Sequence, residues 1–288
     1  MEYIFHILII VSIYGILALA QNLVMGQTGL LSAAGAAFYG IGAYGAAILA
    51  TKFGINIFFS LIFVPILTGM IALVVGTSFA RFRDDYFMLA TLGFLMIFNT
   101  VARNWEEFTG GAYGIAGISK PYIFGFKLET PFSFFFLAFT VFLCILTLHY
   151  FISRSSFGRV LNAIREDEDA LSIFGYQTSI YKLLAFALGA AFSAFAGVLF
   201  ASYLTFIDTK LFTVNESILL WAMIILGGIG RNRGALIGAL FLITIPEILR
   251  FAGFPVELAG LMRQCIYGLL LIFLMLYRPR GILGKYNL

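Results

Sequence analysis

The chain has 288 residues, 61% of them hydrophobic and only 11% charged, with a formal net charge of +4. Soluble domains carry about 25% charged residues, so this composition excludes an ordinary water-soluble enzyme or binding module and places the chain in a membrane. The small basic excess calls for no nucleic acid, because membrane proteins concentrate Lys and Arg in their cytoplasmic loops.

From the N-terminus, no charged residue separates Glu2 from Lys52, and about 20 helical residues cross a bilayer core, so this run alone can hold two crossings. Ala18-Leu19-Ala20 has the small-x-small form of a leader cleavage site, but no Lys or Arg precedes Lys52. A secretory leader begins with a basic residue, so the first span reads as retained. Apolar segments lie at roughly 3–20, 31–50, 55–79, 86–102, 132–152, 183–204, 216–230, 234–250 and 263–277. Segments such as Phe132 to Ile152 are apolar on every face, unlike the alternating strands of a membrane barrel. The fold class is therefore an all-α polytopic membrane protein of about eight or nine transmembrane helices. Segment 31–50 is rich in Gly and Ala, and 216–230 is short. Either is a crossing or a broken, partly re-entrant helix.

The chain reads as one transmembrane domain, 1–288, with two long polar connections at 103–131 and 153–182. Placing 153–182 in the cytoplasm puts eleven basic residues on that side against seven on the other. This choice predicts a cytoplasmic C-terminus and an external 103–131 loop. That loop contains TGGAYGIAGISKP, either a bland flexible connection or a docking surface for a soluble partner.

Two glycine-rich places lie among the spans. In NLVMGQTGLLSAAGAAFYGIGAYG the glycines include Gly26, Gly29 and Gly40, at spacings that let helix backbones approach. The polar residues at its start, Asn22 and Ser32 among them, are candidates to line a water-filled path, as is Asn99 further on. The second place, LGGIGRNRG, contains Gly227, Gly228 and Gly230. No strand precedes it and no GK[ST] follows, so it reads as a tight turn between two short helices and not as a phosphate loop.

The stretch 153–182 holds eight of the chain's charged side chains, drawn from 18 basic and 14 acidic residues. Phe157, Val160, Leu161 and Ile164, then Ala170, Ile173 and Phe174, recur at helical steps, predicting one amphipathic helix or two with a break. Gly175 is placed to end it in a left-handed cap, and Arg165 and Asp169 are spaced to pair across one turn. The consecutive carboxylates Glu166, Asp167, Glu168 and Asp169 point around the helix, so no catalytic site is indicated. A solvated face or a docking knob for a cytoplasmic protein remain as readings.

Glu216 begins one span, and Glu247 stands three residues before Arg250 as an interfacial pair. Carboxylates deep in the bundle, the usual sign of an ion-coupled carrier, are missing from the sequence, so energy is expected to enter from a partner. Cys144 and Cys265 lie far apart without metal-binding spacing, and His6 and His149 fall at span ends, where wet interfacial residues are usual. No metal or cofactor is expected.

The sequence resembles the branched-chain amino-acid permease family of ATP-binding-cassette (ABC) importers, LivM type, over nearly its whole length. The resemblance rests on NLVMGQTGLLSAAGAAFYGIGAYGAA, TGGAYGIAGI, the block FGRVLNAIREDEDALSIFGYQTSIYKLLAFALGAAFSAFAGVLFA, SILLWAMIILGGIGRNRGALIGA, IPEILR and RPRGILG in that order. It implies a multi-pass permease of the bacterial inner membrane, paired with a second permease subunit, preferably a sister chain, and embedded in membrane lipid. Two cytoplasmic ATPase subunits would grip a coupling segment carried over to Arg165–Gly175, and an extracytoplasmic solute-binding protein would deliver leucine, isoleucine or valine. Tight selection would then belong to the binding protein and the path would hold solute weakly. Asp169-Ala170-Leu171 followed by Gly175 matches the spacing of the importer EAA-xxx-G pattern with Asp for Glu, while the pattern's Ile-x-Leu-Pro tail is absent. The alternatives are a self-sufficient channel or secondary carrier, or an ABC permease for urea or amides.

Overall fold

The computed structural model describes residues 2–79, 82, 84–123, 126–127 and 130–251, with short pieces at 268–269, 272–273, 276–277 and 281–283. Helix dominates because a segment in hydrocarbon must satisfy its own N–H and C=O groups. The helices are α1 (Glu2–Gln21), α2 (Gly35–Lys52), α3 (Ile57–Phe79), α4 (Asp84–Asn104), α5 (Glu106–Thr109), α6 (Pro131–Arg154), α7 (Ser156–Glu166), α8 (Glu168–Ile173), α9 (Thr178–Leu204), α10 (Val214–Gly227) and α11 (Asn232–Phe251).

Six of these, α1, α3, α4, α6, α9 and α10 with its preceding turn, are long and apolar enough to cross a membrane. With α2 and α11, 18 and 20 residues long, the described residues hold eight bundle helices. The chain is an all-α polytopic membrane protein. The segment 31–50 is helical only from Gly35, and 216–230 proves to be a helix of 14 residues ending at Gly227. The last expected span, 263–277, lies largely outside the described residues, as do the side chains of Arg81, Arg83, Arg250, Arg263, Arg278, Arg280 and Lys285. The expected Glu247–Arg250 pair therefore falls outside them too, while Glu247 accepts a hydrogen bond from the Tyr3 hydroxyl.

The centre of the bundle is α9, flanked by α1, α2 and α3. A Cβ built on Gly197 of α9 would stand 2.2 Å from the Tyr39 carbonyl and 2.6 Å from the Ala43 nitrogen of α2, and one on Gly42 would meet Ala194 backbone at 2.6 Å. Small residues permit this approach where lipid offers no hydrophobic drive between helices. Gly197→Ala is accordingly expected to destabilise the fold by about 1–3 kcal/mol, the range for overpacking. Thermal unfolding of the detergent-purified chain should show a lowered midpoint for Gly197→Ala. Gly93→Ala, inside α4 with nothing within 4 Å of the added carbon, should hold or raise it, since alanine is the better helix former, and equal midpoints for the two variants would refute the close packing.

Helices α10 and α11 form a similarly tight hairpin, in which a Cβ on Gly227 would lie 1.9 Å from the Gly234 carbonyl and one on Gly238 1.8 Å from that of Met223. The turn between them carries Gly228 at φ 109° and Gly230 at φ 81°, values that glycine alone adopts without strain. The described C-terminal turn docks on the same hairpin, with Ile282 N–H to the Leu226 carbonyl and Leu283 N–H to that of Gly227, each 3.0 Å.

The bundle thus has two rims. One carries the α10–α11 turn, the end of α1, and α7 with α8. The other carries the 103–131 connection, whose strand β1 (Ile115–Ala116) pairs antiparallel with β4 (Phe206–Ile207) after α9, while β2 (Tyr122–Ile123) pairs with β3 (Phe126–Lys127). Asn56 donates to the Tyr122 carbonyl at 2.7 Å and Lys52 to that of Glu107. Among the described residues this connection is fastened at several points.

Candidate functional site

The polar stretch after α6 begins with a sharp corner. Ser155 accepts from the Gly158 N–H at 3.3 Å, capping α7, and a Cβ on Gly158 would meet the Ile152 and Ser153 carbonyls at 2.5 and 2.6 Å. α7 buries Leu161 and Ile164 against the bundle and exposes Arg159 and Glu166. Of the two sequence readings, the pair of helices with a break is the one found, and the break is at Asp167. Its backbone is extended, φ −160° and ψ 101°, and its carboxylate accepts from the Ala170 N–H at 2.9 Å. An aspartate at an N-cap with Glu168 and Asp169 in the first turn suits a helix start better than a helix interior.

α8 ends as the Gly175 position predicts: φ is +85°, with Tyr176 N–H bonded to the Leu171 carbonyl and Gly175 N–H to that of Ser172. These two bonds form a Schellman cap. α8 buries none of its side chains, and Ile173 and Phe174 are 84% and 81% exposed at its tip.

Two ties fix this outlying pair of helices to the bundle. Glu168 accepts from Lys182 Nζ at 2.7 Å and from Thr178 Oγ1 at 2.9 Å, joining α8 to the first turns of α9. Lys182 is 3% exposed and Glu168 22%, so the pair is largely shielded from water. On the other side, Arg165 donates to the Gly26 carbonyl at 2.5 Å, a cation at the carbonyl end of the first helix. Gly29, at φ +80°, lies under the Arg165 stem, where an added Cβ would stand 3.1 Å from its Cγ.

The place that Arg165 grips is where the first helix comes apart. Asn22–Gly26 is a π-helical turn, and residues 29–34 are unwound before α2 begins. A Cβ on Gly26 would meet Asn22 Oδ1 at 2.0 Å, so the glycine gives Asn22 room to turn aside. Asn22 bonds to Asn232 and takes the Gly230 N–H, both at 3.3 Å. Unwound backbone in a membrane protein needs partners from elsewhere. The Ser32 carbonyl accepts from Gln21 Nε2 and Trp221 Nε1, each at 2.8 Å, and the Ala33 carbonyl accepts from Ser217 Oγ at 2.7 Å. The Ala33 N–H donates to Thr91 Oγ1 at 3.0 Å. Gln27 donates to Ser153, which also lies 3.2 Å from Nδ1 of His149. His149 is wholly buried, not the wet interfacial residue that its place at a span end suggests.

The three path candidates occupy different surroundings. Asn22 is a buried tie between α1 and the α10–α11 turn. Ser32 borders a small cavity with Gln21, Gly189 and Ser193. Asn99 lines a cleft of about 420 Å³ toward the opposite rim, donating to the Phe212 carbonyl at 2.9 Å. Gly40 meets aromatic rings, Phe98 at 2.5 Å and Phe212 at 3.0 Å from an added Cβ. Sequence reading missed Gln21, Thr91, Ser217 and Trp221, whose only signal was a polar atom within an apolar run.

A bundle of membrane-spanning helices with a broken element at its centre, gripped from outside by a pair of short amphipathic helices, defines a solute permease. Residues 3–275 match the family described as branched-chain amino acid transport system / permease component. The chain belongs to that family. It is 33% identical to the high-affinity branched-chain amino acid transport system permease protein LivM of Escherichia coli K12, over 94% of this chain and 68% of that one. It is 29% identical to the probable branched-chain amino acid transport permease protein LivM of Methanocaldococcus jannaschii, covering 78% and 68% of the two chains. Against the permease protein LivH of E. coli K12 it is 35% identical over 50% of this chain and 45% of that one. No solved structure matches the chain at a significant level.

Proposed function

We propose that the chain is one permease subunit of an ATP-binding-cassette importer that carries branched-chain amino acids into the cytoplasm across the bacterial inner membrane. A second permease subunit, a sister chain of the LivH kind, completes the path, and two cytoplasmic ATPase subunits supply the energy. A solute-binding protein delivers the amino acid to the rim bearing 103–131. The opposite rim, with α7, α8 and the C-terminal turn, faces the cytoplasm, and lipid covers the exposed apolar faces of α3, α4 and α6. The supporting observation is α8 itself: an apolar tip held in water is costly unless something covers it, and its base is bolted to α9 and, through Arg165, to the break after α1.

The mechanism needs no covalent step in this chain. Closure of the ATPases on ATP would press on Ile173 and Phe174. Glu168 would pass the displacement to α9 and Arg165 to the unwound segment, so the helices rock between outward and inward openings. Replacing the tip, Ile173→Asp with Phe174→Asp, is expected to abolish co-purification of the ATPase subunits while leaving yield unchanged, since neither side chain packs on the bundle. Affinity purification from native membranes checks this. Retained ATPases would reject α8 as the coupling element, and uptake by the purified chain alone in liposomes would point to a self-sufficient carrier.

A further inference from the structure

The 420 Å³ cleft lies between the end of α4 and the segment leading into α10, far from α8. Seven of its nine lining residues are polar or basic, among them Asn99, Thr100, Arg103, Thr209, Lys210 and Asn215. Their stems, with Met96 and Val214, leave most of the exposed wall apolar, so the cleft offers charged and polar groups set in a largely carbon surface. No acidic residue lines it, and neither Arg103 nor Lys210 has an ion-pair partner among the described residues. Thr213, Val214 and Asn215, the N-cap and first two residues of α10, complete the wall. The Thr213 side chain makes no capping hydrogen bond, so the partial positive charge of that helix end adds to the two cations.

We propose that this cleft is an oxyanion subsite that receives the carboxylate of the amino acid at the mouth of the path. Arg103 offers a planar fork matched to a carboxylate, and Lys210 a mobile point charge. Water reaches the cleft and screens its charges, so binding there is weak and release onward is fast. The inference rests on the amino-acid reading above and adds the place where the solute's negative end is read. A lipid phosphate is the other oxyanion that two cations at a membrane rim could hold.

The test is L-leucine uptake by the intact importer in proteoliposomes, with saturating binding protein, in phosphatidylcholine alone and with anionic lipid added. Arg103→Gln with Lys210→Gln is expected to lower uptake at least tenfold in both lipid mixtures, with binding-protein affinity within twofold of wild type. The charge-keeping pair Arg103→Lys with Lys210→Arg should recover most of the rate, which a folding defect would not allow. Uptake within twofold of wild type overturns the proposal. So does a loss that matches lost affinity for the binding protein, which makes the cleft a protein dock, and so does a loss seen only with anionic lipid, which assigns it to a headgroup. If wild type carries an uncharged amide and not L-leucine, the amino-acid reading falls and the carboxylate assignment with it. Failure of the cleft variants alone leaves that reading standing.

Discussion

Glu168→Ala is expected to destabilise the protein by about 3–5 kcal/mol, because it strands the Lys182 ammonium in a shielded site without a counter-charge. The arrangement makes the loss large: Lys182 is 3% exposed and its 2.7 Å contact with Glu168 is direct, and the same carboxylate holds Thr178. Replacing both charges, Glu168→Leu with Lys182→Met, should bring the thermal midpoint back close to wild type, since removing an entire shielded pair is often neutral. Uptake by the intact importer should stay at least tenfold low in both variants, because the double variant restores packing but not the carboxylate that ties α8 to α9 through two donors. Thermal unfolding and uptake measured on the same preparations separate the two effects. Full recovery of uptake in the double variant would reduce the pair to a structural clamp, with transmission carried by Arg165 alone.

The reason to expect two separate grips lies in what each one holds. Glu168 holds a continuous helix of 27 residues, which moves as a rod. Arg165 holds the Gly26 carbonyl at the point where the first helix comes apart, and an element with an unwound centre can change its angle at low cost. A push on α8 can therefore tilt α9 and bend the α1–α2 break together. Under the proposed coupling role, these packed, hydrogen-bonded elements would carry the displacement from α8 into the bundle.

Much of this arrangement was legible in the sequence, for local reasons. Helical steps of Leu161 and Ile164 marked the amphipathic face, Gly175 marked its end, and the pattern of apolar runs marked the spans. Gly228 and Gly230 gave the tight turn between α10 and α11, because positive φ leaves few residue choices. The partners of those elements were hidden. Lys182 sits 14 residues beyond Glu168, and only the return of the chain from α8 into α9 brings them together. Asp167 looked like one of four equivalent carboxylates, and its capping role emerges only from the backbone at the break. The unwound 29–34 segment was suggested by its glycines, yet the groups that sustain it, Gln21, Thr91, Ser217 and Trp221, come from three different helices. Contacts across the bundle leave no periodic trace in a chain that is apolar on nearly every face. Asn22, Ser32 and Asn99 were chosen for their polarity, and among the described residues Asn22 bonds to Asn232 and Gly230 while Ser32 and Asn99 border two different cavities.

That unwound segment carries the second large effect. The Ser32 carbonyl has two donors, Gln21 Nε2 and Trp221 Nε1, both at 2.8 Å. Gln21→Leu or Trp221→Phe alone leaves one donor in place, and each is expected to cost about 1 kcal/mol, the net worth of one hydrogen bond. Together they strip the carbonyl of both side-chain donors, and an unsatisfied backbone group inside a membrane protein costs several kcal/mol. The double variant should therefore be destabilised by about 2 kcal/mol more than the sum of the singles, a non-additivity of the size found for groups sharing one partner. Thermal midpoints of the four proteins in one detergent close the cycle. Simple additivity would mean that Ser32 finds water or another donor, and hence that the unwound segment borders an aqueous space on the side of α1 and α10. The predicted excess would mean that the break after α1 is dry and held by protein alone. Each of its few hydrogen bonds would then set how readily the segment moves when Arg165 pulls on it.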